Sequence, residues 1–263
     1  MSWGKPKPEL KPEMFFKRIR DLKVLPHLKV AIYGKWETGK TYFCCSAPEP
    51  VFILDTEYGA AKVAKMHFPD KDIRIFEVRV VRTDDPTRID YFETFKQIAM
   101  ACDAIHAAFE RGELEGGTVC IDNVSDIYTW LNAWTEETAA KRTSTGRPQR
   151  LEWGKRNIMY RNLIWKVLSL PCHAVVTAQM QRVYGPRGEE TNNWDARWLS
   201  AQPYWCDIVI RLDKLELGPE DVRYIATVEK CRFMRALNKR IRDITWDKLV
   251  KFLRDELGLE VAS

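Results

Sequence analysis

Gly34-Lys35-Trp36-Glu37-Thr38-Gly39-Lys40-Thr41 is the stretch whose reading decides the fold. The apolar run Val30-Ala31-Ile32-Tyr33 precedes it, and Tyr42-Phe43-Cys44-Cys45 follows. The order is strand, glycine-bounded loop, helix start, which is the context a phosphate-binding loop requires. Gly34 and Gly39 let the backbone turn so that successive N–H groups converge on an anion. The helix that follows adds its positive end. In this reading Lys35, Trp36, Glu37, Thr38 and Tyr42 sit against the nucleotide and Lys40 reaches its β and γ phosphates. The Thr41 hydroxyl then binds Mg²⁺. The ligands expected are a nucleoside triphosphate and Mg²⁺.

Outward from that loop, the pattern alternates strands with helices. Residues 29–33 are the first strand and residues 41–47 a short helix stopped by Pro48 and Pro50. Strands are expected at residues 51–54, 73–78, 118–122 and 171–179, each an apolar run of the kind found in a buried parallel sheet. Residues 86–111 place Ile89, Phe92, Phe95, Ile98, Cys102, Ile105 and Phe109 on one helical face. Residues 124–140, 152–170 and 245–257 are also helical. Residues 206–214 and 222–230 read as a strand pair joined by Gly218-Pro219. The class expected is α/β, a mostly parallel sheet flanked by helices with a C-terminal strand pair and ligands at the strand carboxyl ends. The chain divides into a basic lead-in over residues 1–27, an ATPase core over 28–240 and a C-terminal helix over 241–263. Within the lead-in, Met14 to Leu22 has amphipathic helical spacing, suited to covering a sheet edge or to docking on a neighbouring subunit.

Composition narrows the classes. The 263 residues carry a net charge of +5, with 45% hydrophobic and 30% charged residues, enough for a full core under a charged surface. No apolar run approaches the length of a membrane span, and no membrane partner is expected. The seven cysteines include no Cys-x-x-Cys pair and the four histidines do not cluster with them, which favours buried reduced thiols over a zinc site. A cytoplasmic location is expected.

A phosphate loop needs further groups for hydrolysis: a carboxylate for the metal and a group that activates or positions water. Asp122 ends an apolar strand and is placed for the metal role. Glu57 follows the strand 51–54 and is either a proton acceptor for water or a solvated turn acid. Gln179 ends the strand that starts near residue 171, where its amide suits a γ-phosphate contact. On residue type alone, both readings of Glu57 and of Gln179 stay open.

The set Gly34-x4-Gly39-Lys40-Thr41, Ile53-Leu54-Asp55-Thr56-Glu57, Val119-Cys120-Ile121-Asp122 and Val175-Val176-Thr177-Ala178-Gln179 resembles, in that order, the core of the RecA/RadA recombinases. The compact chain is similar above all to phage-type RecA-like ATPases linked to single-strand annealing and recombination. The resemblance covers about residues 28–235. It implies a RecA-like P-loop fold with Glu57 as the water-activating glutamate, Asp122 holding the Mg²⁺ shell, and Gln179 sensing the γ-phosphate at the start of a mobile DNA-binding loop. It also implies that Lys230 and Arg232 act in trans on a neighbouring subunit's nucleotide. Asn123 stands where recombinases usually carry Ser, and Thr177-Ala178-Gln179 replaces Thr-Asn-Gln. Both departures touch strand exchange more than hydrolysis.

Two stretches mix cations with aromatic rings, the composition that binds splayed single strands. One holds Arg142, Arg147 and Arg150. The other holds Arg182, Tyr184, Arg187, Trp194 and Arg197, with Trp198, Tyr204 and Trp205 beyond. Their positions match the two DNA loops of the recombinases. The expected activity is therefore Mg²⁺-dependent ATP hydrolysis coupled to single-stranded DNA, by a homo-oligomeric ring or filament, with a single-stranded-DNA-binding protein as a further partner. Three alternatives remain: a KaiC-like or helicase-loader-type ATPase acting on a protein, a small-molecule kinase, and a binding-only nucleotide switch.

Overall fold

The computed structural model describes residues 27–142, 145–185, 187, 189–218, 221–233 and 238–262. The helix expected over residues 14–22 lies outside them. The described residues form nine strands: β1 (Lys29–Gly34), β2 (Val51–Asp55), β3 (Ile73–Glu77), β4 (Thr118–Asp122), β5 (His173–Tyr184), β6 (Glu190–Ala196), β7 (Ile208–Glu216), β8 (Val222–Cys231) and β9 (Lys239–Arg242). Among the same residues are seven helices: α1 (Lys40–Ser46), α2 (Ala60–His67), α3 (Tyr91–Glu110), α4 (Val124–Arg142), α5 (Arg150–Leu168), α6 (Gln202–Trp205) and α7 (Trp246–Leu257).

The sheet order is β3-β2-β4-β5-β1-β7-β8-β9, with β6 paired to the outer half of β5. Pairs from β3 across to β7 are parallel, and β7–β8 and β8–β9 are antiparallel. This is the expected α/β class, a mostly parallel sheet flanked by helices and closed by C-terminal antiparallel strands.

Strand alternation sorts the apolar residues onto two faces. Ala31, Tyr33, Ile121, Val176 and Ala178 pack with Ile98 of α3, Leu131 of α4 and Ile164 of α5. Val30, Ile32, Ile53, Cys120 and Val175 pack with Phe43 of α1, Ala60 of α2 and Trp246, Leu249 and Leu253 of α7. Because the central strands are buried on both faces, the ligands they position must sit at strand ends. All seven cysteines are buried and none of them forms a disulfide among the described residues.

Four elements depart from the sequence reading. The first long helix begins at Tyr91, not near residue 86, because the Asp90 carboxylate accepts from Glu93 N and starts the helix there. The short helix α2 was not anticipated, and its first amide is capped from outside by Asp55, whose Oδ2 accepts from Ala60 N at 2.8 Å. Strand β9 was also missed, since it is held by pairing with β8 rather than by a pattern of its own. Most consequentially, the stretch after Gln179 is no loop. β5 continues to Tyr184 and returns as β6, with Met180 paired to Ala196 and Arg182 to Trp194.

His173 fixes the amino end of β5. Leu28 N donates to its Nδ1 at 2.9 Å, and its Nε2 lies 2.9 Å from the Ala262 carbonyl, so the ring is neutral with its proton on Nε2. Burial, only partly opposed by the Ala262 contact, pushes its pKa down from 6.5 to about 4. Between those two values the unfolded chain binds the extra proton, so stability falls as the pH drops through that window. We expect a loss of about 3 kcal/mol across it. Urea unfolding of His173→Asn at a series of pH values should show that part of the profile flattened.

Candidate active site

Apart from Lys230 and Arg232, the expected catalytic and phosphate-binding groups come from four adjacent parallel strands. β2, β4, β5 and β1 lie side by side, with Asp55 opposite Asp122 and Gly34 opposite Gln179 in register. Their carboxyl ends therefore deliver Glu57, Asp122, Gln179 and the phosphate loop to one edge of the sheet.

The loop is tightly built. A Cβ on Gly34 would lie 2.5 Å from Thr38 Oγ1 and 2.8 Å from the Leu212 carbonyl, so only glycine fits. Gly39 turns into α1 at a φ of 92°, the left-handed region glycine favours. Thr38 is buried and its hydroxyl donates to Lys35 O at 2.9 Å. Lys40 is also buried, and its ammonium donates to Gly34 O at 3.2 Å and Lys35 O at 2.8 Å, across the mouth of the loop. Burial lowers its pKa, while Asp122 and Glu57 pull the other way. Trp36 is 76% exposed beside the loop, and Tyr42 packs against His67 and Phe68. Glu37 pairs with Lys214 of β7 at 3.2 Å.

Asp122 is buried at the tip of β4. Thr41 Oγ1 donates to its Oδ2 at 2.6 Å, and the Thr177 hydroxyl donates to its Oδ1. Burial raises its pKa, and the two hydroxyl donors oppose that shift. Among the described residues no group of three or more His, Cys, Asp or Glu side chains converges as a metal cage. A hydroxyl and a single carboxylate side by side suit a cation that completes its shell with water and phosphate oxygens, as Mg²⁺ does.

Glu57 stands exposed across the cleft. Gln179 Nε2 donates directly to Glu57 Oε1, so the two residues the sequence marks for water and for the γ-phosphate meet each other. Neighbours that sequence reasoning did not single out hold this pair. Asp55 Oδ1 accepts from Glu57 N at 2.9 Å, fixing the turn that presents Glu57. Thr56 N donates to Asp122 O at 2.8 Å, and the Thr56 hydroxyl donates to Asp126 at 2.7 Å. Ser125 Oγ accepts from Gln179 N at 2.9 Å and donates to Arg197 O at 2.8 Å. Asp55 and Thr56 stood in the quoted motif with no role assigned, and Ser125 and Asp126, in the first turn of α4, carried no signal of what they touch.

Beyond Gln179, the β5–β6 hairpin leans over the phosphate loop. Lys35 Nζ sits 4.2 Å from the centre of the Trp194 ring, and the Arg182 guanidinium lies 5.4 Å from the same ring. Tyr184 and Arg187 are exposed at its outer end, and Arg197 N donates to Gln179 O at its base. The other aromatic residues of this stretch divide. Trp198 is buried edge-on to Tyr33, Trp205 packs edge-on to Trp165, and Tyr204 is exposed.

Arg142, Arg147 and Arg150 are exposed where α4 turns into α5. The contacts Tyr128–Tyr160 and Asn132–Arg156 make these helices an antiparallel pair. Because α4 starts at the carboxyl end of β4 and α5 ends before the amino end of β5, the arginine-bearing tip stands beyond the same sheet edge as the hairpin.

Lys230 and Arg232 lie elsewhere. Lys230 pairs in register with Val209 and Cys231 with Ile208, near the amino end of β1. They are therefore at the opposite end of the sheet from the phosphate loop of their own chain. Lys230 Nζ donates to Pro203 O and Cys206 O at 2.6 Å, and Arg232 pairs with Asp207 at 2.9 Å. Burial, with Arg232 nearby, lowers the Lys230 pKa.

Residues 27–250 match the family described as AAA domain. No curated protein matches the chain. Among the solved structures that match is one titled "Crystal structure of the RadB recombinase", at 18% identity and a TM-score of 0.46, over 83% of this chain and 87% of that one.

The Gly34 geometry has a direct consequence. Gly34→Ala must displace either Thr38 or the β7 backbone at Leu212. We expect about 1–3 kcal/mol of lost stability and lost binding of a fluorescent ATP analogue, read by thermal unfolding and fluorescence titration.

Proposed function

The chain belongs to the AAA-domain family, and from that premise we propose that it is an Mg²⁺-dependent ATPase of the RecA-like type that acts on single-stranded DNA as an oligomer. The observation that carries this reading is the Gln179–Glu57 hydrogen bond at the root of a basic, aromatic hairpin. One contact joins the group proposed for water to the strand that runs out into the proposed DNA surface.

In this reading the loop from Gly34 to Thr41 cradles the triphosphate. Thr41 and Asp122 hold Mg²⁺, which neutralises charge on the phosphate oxygens when bound. Lys40 exchanges the carbonyls of Gly34 and Lys35 for phosphate oxygens. Gln179 turns its amide from Glu57 to the γ-phosphate, which frees the Glu57 carboxylate to accept a proton from the attacking water. Asp55 keeps Glu57 at the right height throughout by holding its backbone amide.

The Gln179 backbone is continuous with the hairpin and bonded to Arg197 at its base, so a shift at Gln179 moves the hairpin. Lys35 on Trp194 is a second link from the phosphate loop to the same element. Arg182, Tyr184, Arg187, Trp194 and Arg197, with Arg142, Arg147 and Arg150 on the α4–α5 tip, supply phosphate contacts and stacking faces for the DNA. Lys230 and Arg232 face away from their own nucleotide. Their proposed role is on the nucleotide of a neighbouring subunit, and it requires them to leave Pro203, Cys206 and Asp207. Recombination, annealing or replication of DNA, with a single-stranded-DNA-binding protein as a further partner, is the setting this reading favours.

Two outcomes test it. Glu57→Gln should retain ATP binding and lose turnover by about 100-fold or more, whereas Lys40→Ala should lose binding itself. Normal turnover in Glu57→Gln would remove that residue from the chemistry. Oligothymidine should raise the wild-type ATPase rate with a steep fall between about 50 and 200 mM salt. Trp194→Ala should weaken that stimulation, and a rate indifferent to DNA at every salt concentration would defeat the DNA assignment.

A further inference from the structure

Residues 78–89 connect β3 to α3, and the site described above uses none of them. With Tyr58 they enclose a concavity of about 530 Å³ whose charged lining is Arg79, Arg82 and Arg88. The loop is ordered by its own bonds. Arg82 bridges to Ile89, and Arg82 Nη1 donates to Pro86 O at 2.7 Å. Its two acids are not in the lining: Asp85 accepts from the amide and hydroxyl of Thr87 at 2.9 and 2.7 Å, and Asp84 is exposed. Arg88 meets Glu137 of α4 at 3.6 Å, a distant and exposed pair that contributes little. The exposed Arg79 guanidinium has no ion-pair partner among the described residues. Three guanidinium groups around a hollow with one loosely held acid attract an anion with several charges.

The place of the hollow says which anion. β3 is four strand spacings from β1, about 19 Å, so the nucleotide in the phosphate loop does not fill it. It opens at the same sheet end as the β5–β6 hairpin. Its neighbour α4, joined through Arg88–Glu137 and the stacked Phe92–Trp134 pair, leads on to Arg142 at the α4–α5 tip. Its wall includes Tyr58, 42% exposed, with the hydroxyl anchored on Val78 O at 2.7 Å. Guanidinium forks match phosphate, and an exposed aromatic ring offers a stacking face.

We propose that this hollow is a second contact site for single-stranded nucleic acid, taking its sugar-phosphate backbone on Arg79, Arg82 and Arg88 beside Tyr58. The inference rests on the DNA reading and extends it to a surface that the hairpin does not reach. Tyr58 directly follows Glu57, so a strand seated here also bears on the turn that presents the proposed catalytic carboxylate.

The test is binding of fluorescent oligothymidine, by anisotropy over a salt series, to wild type, Arg79→Ala, Arg79→Ala/Arg88→Ala, Arg182→Ala and Lys251→Glu. The last matches the double variant's change in net charge, on the exposed face of α7. Each lost phosphate contact should reduce the slope of log affinity against log salt by about 0.7, or about fivefold in affinity at 0.1 M salt. Arg79→Ala should show one such step, the double variant about two, and Lys251→Glu none. Arg79 has no ion-pair partner among the described residues, so its single variant reads the site even if the double variant folds poorly. If wild type and Arg182→Ala differ in slope but the Arg79 variants match wild type, the hollow is no nucleic-acid site and the hairpin reading stands. If wild type binds no oligothymidine, both fall. If an oligoglutamate peptide binds wild type and not the double variant, while the two bind oligothymidine with the same slope, the hollow serves an acidic protein segment and the proposal is overturned.

Discussion

A single buried carboxylate holds together the end of the sheet where the candidate site lies. Asp122 receives the hydroxyl of Thr41 from the phosphate loop on one oxygen and the hydroxyl of Thr177 from β5 on the other. Its own carbonyl receives the amide of Thr56 from the turn after β2. One residue thus ties the ends of β1, β2, β4 and β5. Burying a charge is costly unless it is hydrogen-bonded, and here burial raises the pKa while the two hydroxyls offset part of that cost. A cation at this spot would relieve the rest. The energetic weakness of the free site and its proposed affinity for Mg²⁺ therefore have the same origin.

Around that anchor, polar groups at neighbouring strand tips form a connected set. Asp55 orients Glu57, Glu57 receives the Gln179 amide, Gln179 is bonded through its backbone to Ser125 and Arg197, and Arg197 starts the return from the hairpin. Gln179 has one side-chain amide and, in the proposed cycle, two acceptors that compete for it. A residue with two alternative partners has two discrete arrangements, which is the element a nucleotide-driven switch requires. The Lys35–Trp194 contact gives the hairpin a second tie to the phosphate loop, on the other side of Gln179.

The antiparallel half of the sheet has a different character. β7 and β8 carry charged residues in their middles: Arg211 pairs with Asp213 and Glu229, and Glu229 accepts from the Tyr33 hydroxyl of β1. Lys230 and Arg232 sit at the far end of this half, held by carbonyls and by Asp207. That position excludes them from their own phosphate loop, and it is why their proposed role requires a second subunit.

Much of this protein was legible in the sequence alone. Gly34 to Thr41 after Val30-Ala31-Ile32-Tyr33 specified a phosphate loop, because those residue types are what a tight turn around an anion demands. The apolar runs around Ile53, Cys120 and Val175 specified buried parallel strands, and Asp122, Glu57 and Gln179 were picked out where those apolar runs stop, although β5 itself runs on past Gln179 to Tyr184. Sequence could not show that Glu57 and Gln179 touch, since 122 residues separate them and only the strand order brings them together. Nor could it show that the residues after Gln179 pair as a hairpin, that Trp198 turns inward while Trp194 turns to Lys35, or that Arg79, Arg82 and Arg88 surround one hollow. Local pattern determines which residues form a strand or a helix. Which tips become neighbours, and which charged or aromatic groups are left facing water, is set by how the strands order themselves to bury both faces of the sheet.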